Sequence, residues 1–284
     1  MSPDSTTRST AVMLLTVALC TFNACAALQP TDANGPRSNL PPYPVVVNEP
    51  AGSESFTHEW QKLSQRYGLP QDTPAVFDPL LGTLHGLPPN LGSAIFLPKV
   101  GGSSVQTEEE TRESLRRFIV DWQELIGAEP SQLSLVDRSD ETNGTKLARF
   151  EQRPFRYPLR GDFGKLDIRF QSDRRVLSIA STCLPNTDRL QAALANLTAT
   201  VTSDKALTLV KDHPITVTST DGTQRSFSLP ATASLEAHQL VAYAITSKDQ
   251  QAVELHLAWE IDVANGPIKT IYLDAISEQV IAVM

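Results

Sequence analysis

The residues of this 284-residue chain that could do chemistry are few, and their spacing disperses them. Histidines stand at positions 58, 85, 213, 238 and 256. None has a second histidine three or four residues away, the spacing that sets two imidazoles on one helix face to share a metal. His58-Glu59 opens an H-E-x-x-H zinc pattern, but position 62 is Lys, so the second ligand is missing. Glu108-Glu109-Glu110 places three carboxylates in a row, and consecutive side chains splay around a helix instead of converging on a cation. Their position suits the first turn of a helix, where the backbone dipole favours negative charge. Glu254, Glu260 and Asp262 fall on the polar phase of an alternating stretch. A solvated strand face is expected there, not the perturbed, clefted carboxylate that catalysis uses. A G-x-S-x-G elbow, a glycine-rich phosphate loop and a metal-spaced cysteine pair are all missing. The residues therefore predict no catalytic site, no metal ligands and no cofactor. The chain is expected to bind and not to catalyse.

Composition and charge narrow the class of partner. With 40% hydrophobic and 20% charged residues the chain is ordinary for a globular protein, and its length suits one large domain or two small ones. A net charge of −8 with no Lys/Arg-rich run leaves no nucleic-acid footprint. Residues 1–28 read as an export signal: Arg8 supplies positive charge, Ala11 to Leu19 an apolar run, and small residues follow. Two endings fit. Ala24-Cys25-Ala26 suits cleavage after Ala26, whereas Phe22-Asn23-Ala24-Cys25 resembles a lipobox and would leave Cys25 lipidated as a membrane anchor. The apolar run is short of the ~20 residues a spanning helix needs, which ranks a simple anchor helix third. The expected location is secreted or periplasmic, or the cell envelope through the lipid. Cys183 is then the one thiol of the mature chain. It cannot form an internal disulfide, and its apolar neighbours predict a buried, inert side chain.

The elements that would carry any site follow in order. Residues 29–54, rich in Pro, Asn and Gly, read as a flexible linker. A short helix is predicted over 55–67, ended by Gly68, and strands joined by turns over 74–98. Thr107 followed by Glu110 makes a capping box, and Leu115, Phe118, Ile119, Trp122, Leu125 and Ile126 form an apolar helical stripe ended by Gly127. From Leu133 to Leu184 the alternation predicts a four-stranded antiparallel meander over 133–136, 147–152, 165–171 and 176–182. A connecting helix over 188–197 follows. A second unit repeats the plan, with a helix over 205–211 and polar, turn-rich sequence to Pro230. A helical turn at 234–238, a strand over 240–245 and a closing meander from Val253 complete it. The predicted fold class is α+β, two similar units, each a curled antiparallel β-sheet with a helix packed across it. Phe118, Trp122 and Phe150 are the expected core anchors of the first unit, Trp259 and Ile261 of the second.

Three stretches carry a family resemblance. Arg116-Arg117-Phe118-Ile119-Val120-Asp121-Trp122-Gln123-Glu124-Leu125-Ile126-Gly127 resembles a propeptide helix that ends before a strand like Leu133 to Val136. Ala148-Arg149-Phe150-Glu151-Gln152 resembles the R-F-x-Q strand of the FTP motif. Leu257 to Ile261, Ile271 to Ala275 and Glu278 to Val280 resemble the close of a PepSY domain. Over about residues 75–284 the chain is thus similar to the propeptide region of secreted thermolysin-like or fungalysin-like zinc metallopeptidases. Phe155 to Gly161 departs from the family turn, keeping its Pro and final Gly but losing the first Gly, and Ser277 stands where the family has Gly.

The resemblance implies an FTP-like domain over 55–190 and a PepSY-like domain over 191–284. In the relatives a peptidase domain follows, whereas this sequence stops at Met284. The expectation is a stand-alone, propeptide-like protein that binds a secreted zinc metallopeptidase in trans, as folding chaperone or inhibitor. No residue is assigned to the partner surface. The competing expectation is an envelope lipoprotein or structural binding module unrelated to a peptidase.

Overall fold

Three consecutive valines form the first strand among the described residues. The computed structural model describes residues 42–47, 53–70, 74–88, 95–102, 107–153, 155–212, 214–218 and 224–284, and the leader with Cys25 lies outside them. Residues 41–284 belong to one compact unit. Strand β1 (Val45–Val47) falls in the stretch expected to be flexible linker. It instead pairs antiparallel with residues 253–255 near the far end of the chain. A β-branched run with two buried side chains, Val45 and Val47, has more to gain on a sheet edge than in water. Helix α1 (Ser53–Tyr67) follows as predicted, and β2 (Val76–Phe77) and β3 (Leu84–Gly86) form the predicted hairpin.

Helix α2 (Glu108–Ile126) starts where the capping box places it. The Glu110 amide donates to the Thr107 hydroxyl at 3.2 Å, and the Thr107 amide donates to the Glu110 carboxylate at 2.8 Å. Glu108 pairs with Arg112 and Arg138 on the surface, so the acidic triplet serves the helix start. The apolar stripe buries against a sheet formed by β4 (Leu133–Asp140), β5 (Thr145–Gln152), and, after an excursion through β6 (Leu159–Gly161), β7 (Lys165–Gln171) and β8 (Val176–Ser181). Their order is β4-β5-β7-β8, antiparallel throughout. Phe118 and Trp122 of α2 are fully buried, their rings stacked at 5.0 Å, and share one core with Phe150, Leu166 and Ile168 of the sheet. The Trp122 indole N–H, the one polar atom of that ring, donates to the Tyr67 hydroxyl at 3.2 Å.

The second half begins with α3 (Thr187–Ala195) and α4 (Ser203–Asp212). The polar stretch after α4, expected as turns, forms a two-stranded hairpin of β9 (Ile215–Thr218) and β10 (Gln224–Phe227). Then come β11 (Ser234–Thr246), β12 (Val253–Ala264), β13 (Thr270–Asp274) and β14 (Val280–Val283). The helical turn expected over 234–238 is strand: β11 pairs with β12 from Ser234 onward. Alternating Leu235 and Ala237 opposite Val263 and Ile261 gives this segment a sheet face to bury, which outweighs local helical preference. The second sheet runs β14-β13-β12-β11-β6, with β1 also on β12. β6 adds parallel to β11, so residues 159–161 belong to the second sheet and bridge the domain boundary expected near 190. The architecture is α+β.

Candidate functional site

The inner face of the second sheet is apolar, as the alternation predicts. Leu255 and Leu257 share a core with Leu190 and Leu194 of α3. Ile261, Val263, Ile271 and Leu273 share another with Ala206 and Val210 of α4. Ile261 is fully buried, whereas Trp259 is partly buried against the same core while its indole N–H donates to the Val201 carbonyl at 2.8 Å.

The opposite face is where sequence reasoning went wrong. Glu260, expected on a solvated surface, is only 7% exposed. Val241, Tyr243, Ala258 and Tyr272 form a small core on that face, with the Tyr243 and Tyr272 rings 4.5 Å apart. Arg160 of β6 reaches across this face. It grips Glu260 with two bonds, Nε to Oε1 at 2.7 Å and Nη2 to Oε2 at 3.3 Å. Gln239 and the Tyr272 hydroxyl also donate to Glu260, at 2.8 and 3.1 Å. Burial alone would raise the Glu260 pKa, but these donors outweigh it and hold the carboxyl below its ordinary range. The correction has a physical source: β6 brings a cation over the strand from 100 residues away, which no local pattern around Glu260 encodes.

A second buried carboxylate lies on the same face, at the end of β13. Asp274 is 1% exposed and accepts four hydrogen bonds. Its Oδ1 takes the amides of Ile276 and Ser277, both at 2.8 Å, which shapes the turn into β14. Its Oδ2 takes the Tyr43 hydroxyl at 2.6 Å and faces His256 Nδ1 at 2.7 Å. Here too burial is outweighed by the donors, chiefly His256 and Tyr43, and the carboxyl stays below the ordinary range. Tyr43 in turn accepts the Leu257 amide at 3.2 Å, and burial pushes its phenol far up, so it remains a donor. His256 Nε2 lies 3.4 Å from Glu254 Oε2. The chain Tyr43–Asp274–His256–Glu254 thus ties the residues just before β1 to β13 and β12 beside an open cavity of about 690 Å³.

Other predicted positions take structural places. Phe118, Trp122 and Phe150 lie in the first core and Ile261 in the second. His58 is exposed, and Lys62 pairs with Glu59 at 2.6 Å. Glu254 is partly exposed and Asp262 exposed. Among the described residues no group of three or more His, Cys, Asp or Glu is placed to hold a metal ion, and no helix is long and apolar enough to cross a membrane. Cys183 is a free, fully buried thiol pushed up to about 12 by burial, which keeps it protonated. Sequence reading missed Tyr43, Arg160, His256 and Asp274. A polar residue on an otherwise buried strand phase was the one available signal, and it was weak.

Compared with models of known families and with curated proteins, the chain matches none. The likeness to FTP and PepSY propeptides rests on the quoted residues alone.

Proposed function

We propose that this chain is an exported, non-catalytic, propeptide-like protein that binds a secreted zinc metallopeptidase in trans, as chaperone or inhibitor. Its leader either is cleaved after Ala26 or leaves Cys25 lipidated at the envelope. The proposed fold is a duplicated unit. In each half one helix precedes four antiparallel strands in a meander: α2 before β4, β5, β7 and β8, and α4 before β11 to β14. The observation that carries the proposal is that irregularities recur at matching places. The first strand of each meander is bulged, at Val136 and at His238. The last hairpin of each shifts register, between Arg169 and Phe170 and between Tyr272 and Leu273. Each of those hairpins turns through a left-handed residue two positions before its last strand, Arg174 and Glu278. Bulges are specified features of a strand, so this shared pattern supports common descent of the two halves, the arrangement the propeptide resemblance implies.

Docking is assigned to the closing strand. β14 pairs with β13 only, among the described strands. Since the Met284 and Thr270 amides and carbonyls bond each other, alternation points the Val283 amide, opposite Ile271, away from β13. An unpaired edge is a template for a partner strand. Immobilised chain from residue 29 should retain a zinc peptidase from culture supernatant of the same organism, and Val283→Pro should weaken retention without loss of a ladder bond. Retention of no peptidase by the wild-type chain overturns the reading.

A further inference from the structure

The two meanders part at a matching place, the outer side of the closing strand. Phe170–Val176 and Leu273–Val280 are paired alike. In both, the amide after the pair donates to the carbonyl before its partner, Gln171 to Arg175 and Asp274 to Gln279, at 2.8 Å. Each is therefore a pair without bonds between its own members, and Val176 and Val280 aim their amides away from the sheet. The left-handed residues Arg174 and Glu278 precede them by two positions.

In the first meander this outer side is occupied. The Val176 amide donates to the Ile95 carbonyl at 2.8 Å, and the Leu97 amide donates to the Arg174 carbonyl at 2.9 Å. Residues 95–97 thus lie antiparallel on β8, Phe96 opposite Arg175. Ile95 and Leu97 bury fully in the first core, while Phe96 stays exposed. In the second meander no backbone bond to the Val280 amide or the Glu278 carbonyl is found among the described residues. Val280 is partly exposed, where Val176 is 4% exposed. An outward amide and carbonyl in this state are a template for a further strand. There is room for one. Glu278, Val280 and Ile281 line the cavity of about 690 Å³, and Val210, Ile215 and Leu273 of the second core supply its apolar wall.

We propose that this cavity receives an extended segment of the partner peptidase that reads aliphatic, any residue, aliphatic, and lies antiparallel to β14. Its register is that of residues 95–97 on β8. The carbonyl of its first aliphatic residue accepts from the Val280 amide, and the amide of its second donates to the Glu278 carbonyl. Both aliphatic side chains lie on the Val210–Ile215–Leu273 wall. The identity of the partner rests on the peptidase reading; the groove and the register rest on the repeat.

The test titrates the full chain with acetyl-Ala-Ile-Phe-Leu-Pro-amide, the chain's own residues 94–98, followed by amide chemical shifts of Val176 and Val280. The Val280 amide should move on binding while Val176 holds. Ile95→Ser with Leu97→Ser in the peptide should weaken binding at least about tenfold, through the apolar area no longer buried. A methyl group on the peptide's Leu97 amide nitrogen leaves the protein untouched and should weaken binding about fivefold, the worth of one hydrogen bond. No binding, a shift at Val176 without one at Val280, or an affinity indifferent to the serines or to the methyl group overturns the proposal. Peptidase retention without peptide binding refutes this groove alone, whereas peptide binding without retention supports the groove and refutes the peptidase reading alone.

Discussion

Removal of the Tyr43 hydroxyl tests whether the segment before α1 is part of the fold or a tether. Tyr43→Phe takes away one short bond to an ionised, buried carboxylate, at 2.6 Å, and the acceptor of the Leu257 amide, at 3.2 Å. A hydrogen bond to a charged group contributes about 1.5–3 kcal/mol, and the longer amide bond sits at the low end of about 0.5–1.5 kcal/mol. The expected loss is therefore about 2–3 kcal/mol, read from urea unfolding at an unchanged slope. Asp274→Ala removes the acceptor of four bonds and should cost about 4–5 kcal/mol. In that background Tyr43→Phe should cost only about 1 kcal/mol, a coupling of about 1.5 kcal/mol. Acid should erase the effect. Folding lowers the Asp274 pKa, so its stabilisation is complete above the unfolded value of about 3.9 and is lost as pH falls below it through the folded value. The Tyr43→Phe penalty should shrink below about pH 4. A penalty under about 0.5 kcal/mol at pH 7, or no coupling to Asp274, would refute the placement of β1 on β12.

Three further substitutions probe other joints of the structure. Trp122→Ala should cost about 3–5 kcal/mol, since the ring is fully buried between α1 and the first sheet; chemical denaturation measures it. Arg160→Met leaves Glu260 buried with only Gln239 and Tyr272 as donors. Because Arg160 is partly solvated, a loss of about 2–3 kcal/mol is expected, at the lower edge of that for breaking a buried pair. Adding Glu260→Gln should recover part of it, whereas equal instability of the double variant would contradict the charge argument. Thr107→Ala should cost about 1 kcal/mol through loss of the α2 cap, seen as a lower midpoint.

Local signals reached as far as local causes. The start and end of α2 were legible because Thr107, Glu110 and Gly127 act on their own backbone. Seven of the eight meander strands followed from period-two alternation, with boundaries within a few residues. β11 was half missed, because Ser234 to His238 is committed to strand only by its partners in β12. β1 was read as linker because proline and glycine around it outweigh three valines in any local window. The polar face of the second sheet was the least legible part. Glu260 and Asp274 look like surface acids until Arg160 and Tyr43 arrive, from 100 and 231 residues away.

The proposal that this chain captures a peptidase is tested most directly by co-purification. Chain from residue 29, immobilised and exposed to culture supernatant of its own organism, should retain a zinc metallopeptidase, identified by mass spectrometry. Added in solution, it should slow that enzyme or raise its yield of active, refolded protein. A supernatant that contains active zinc metallopeptidase but leaves none on the immobilised chain would contradict the account.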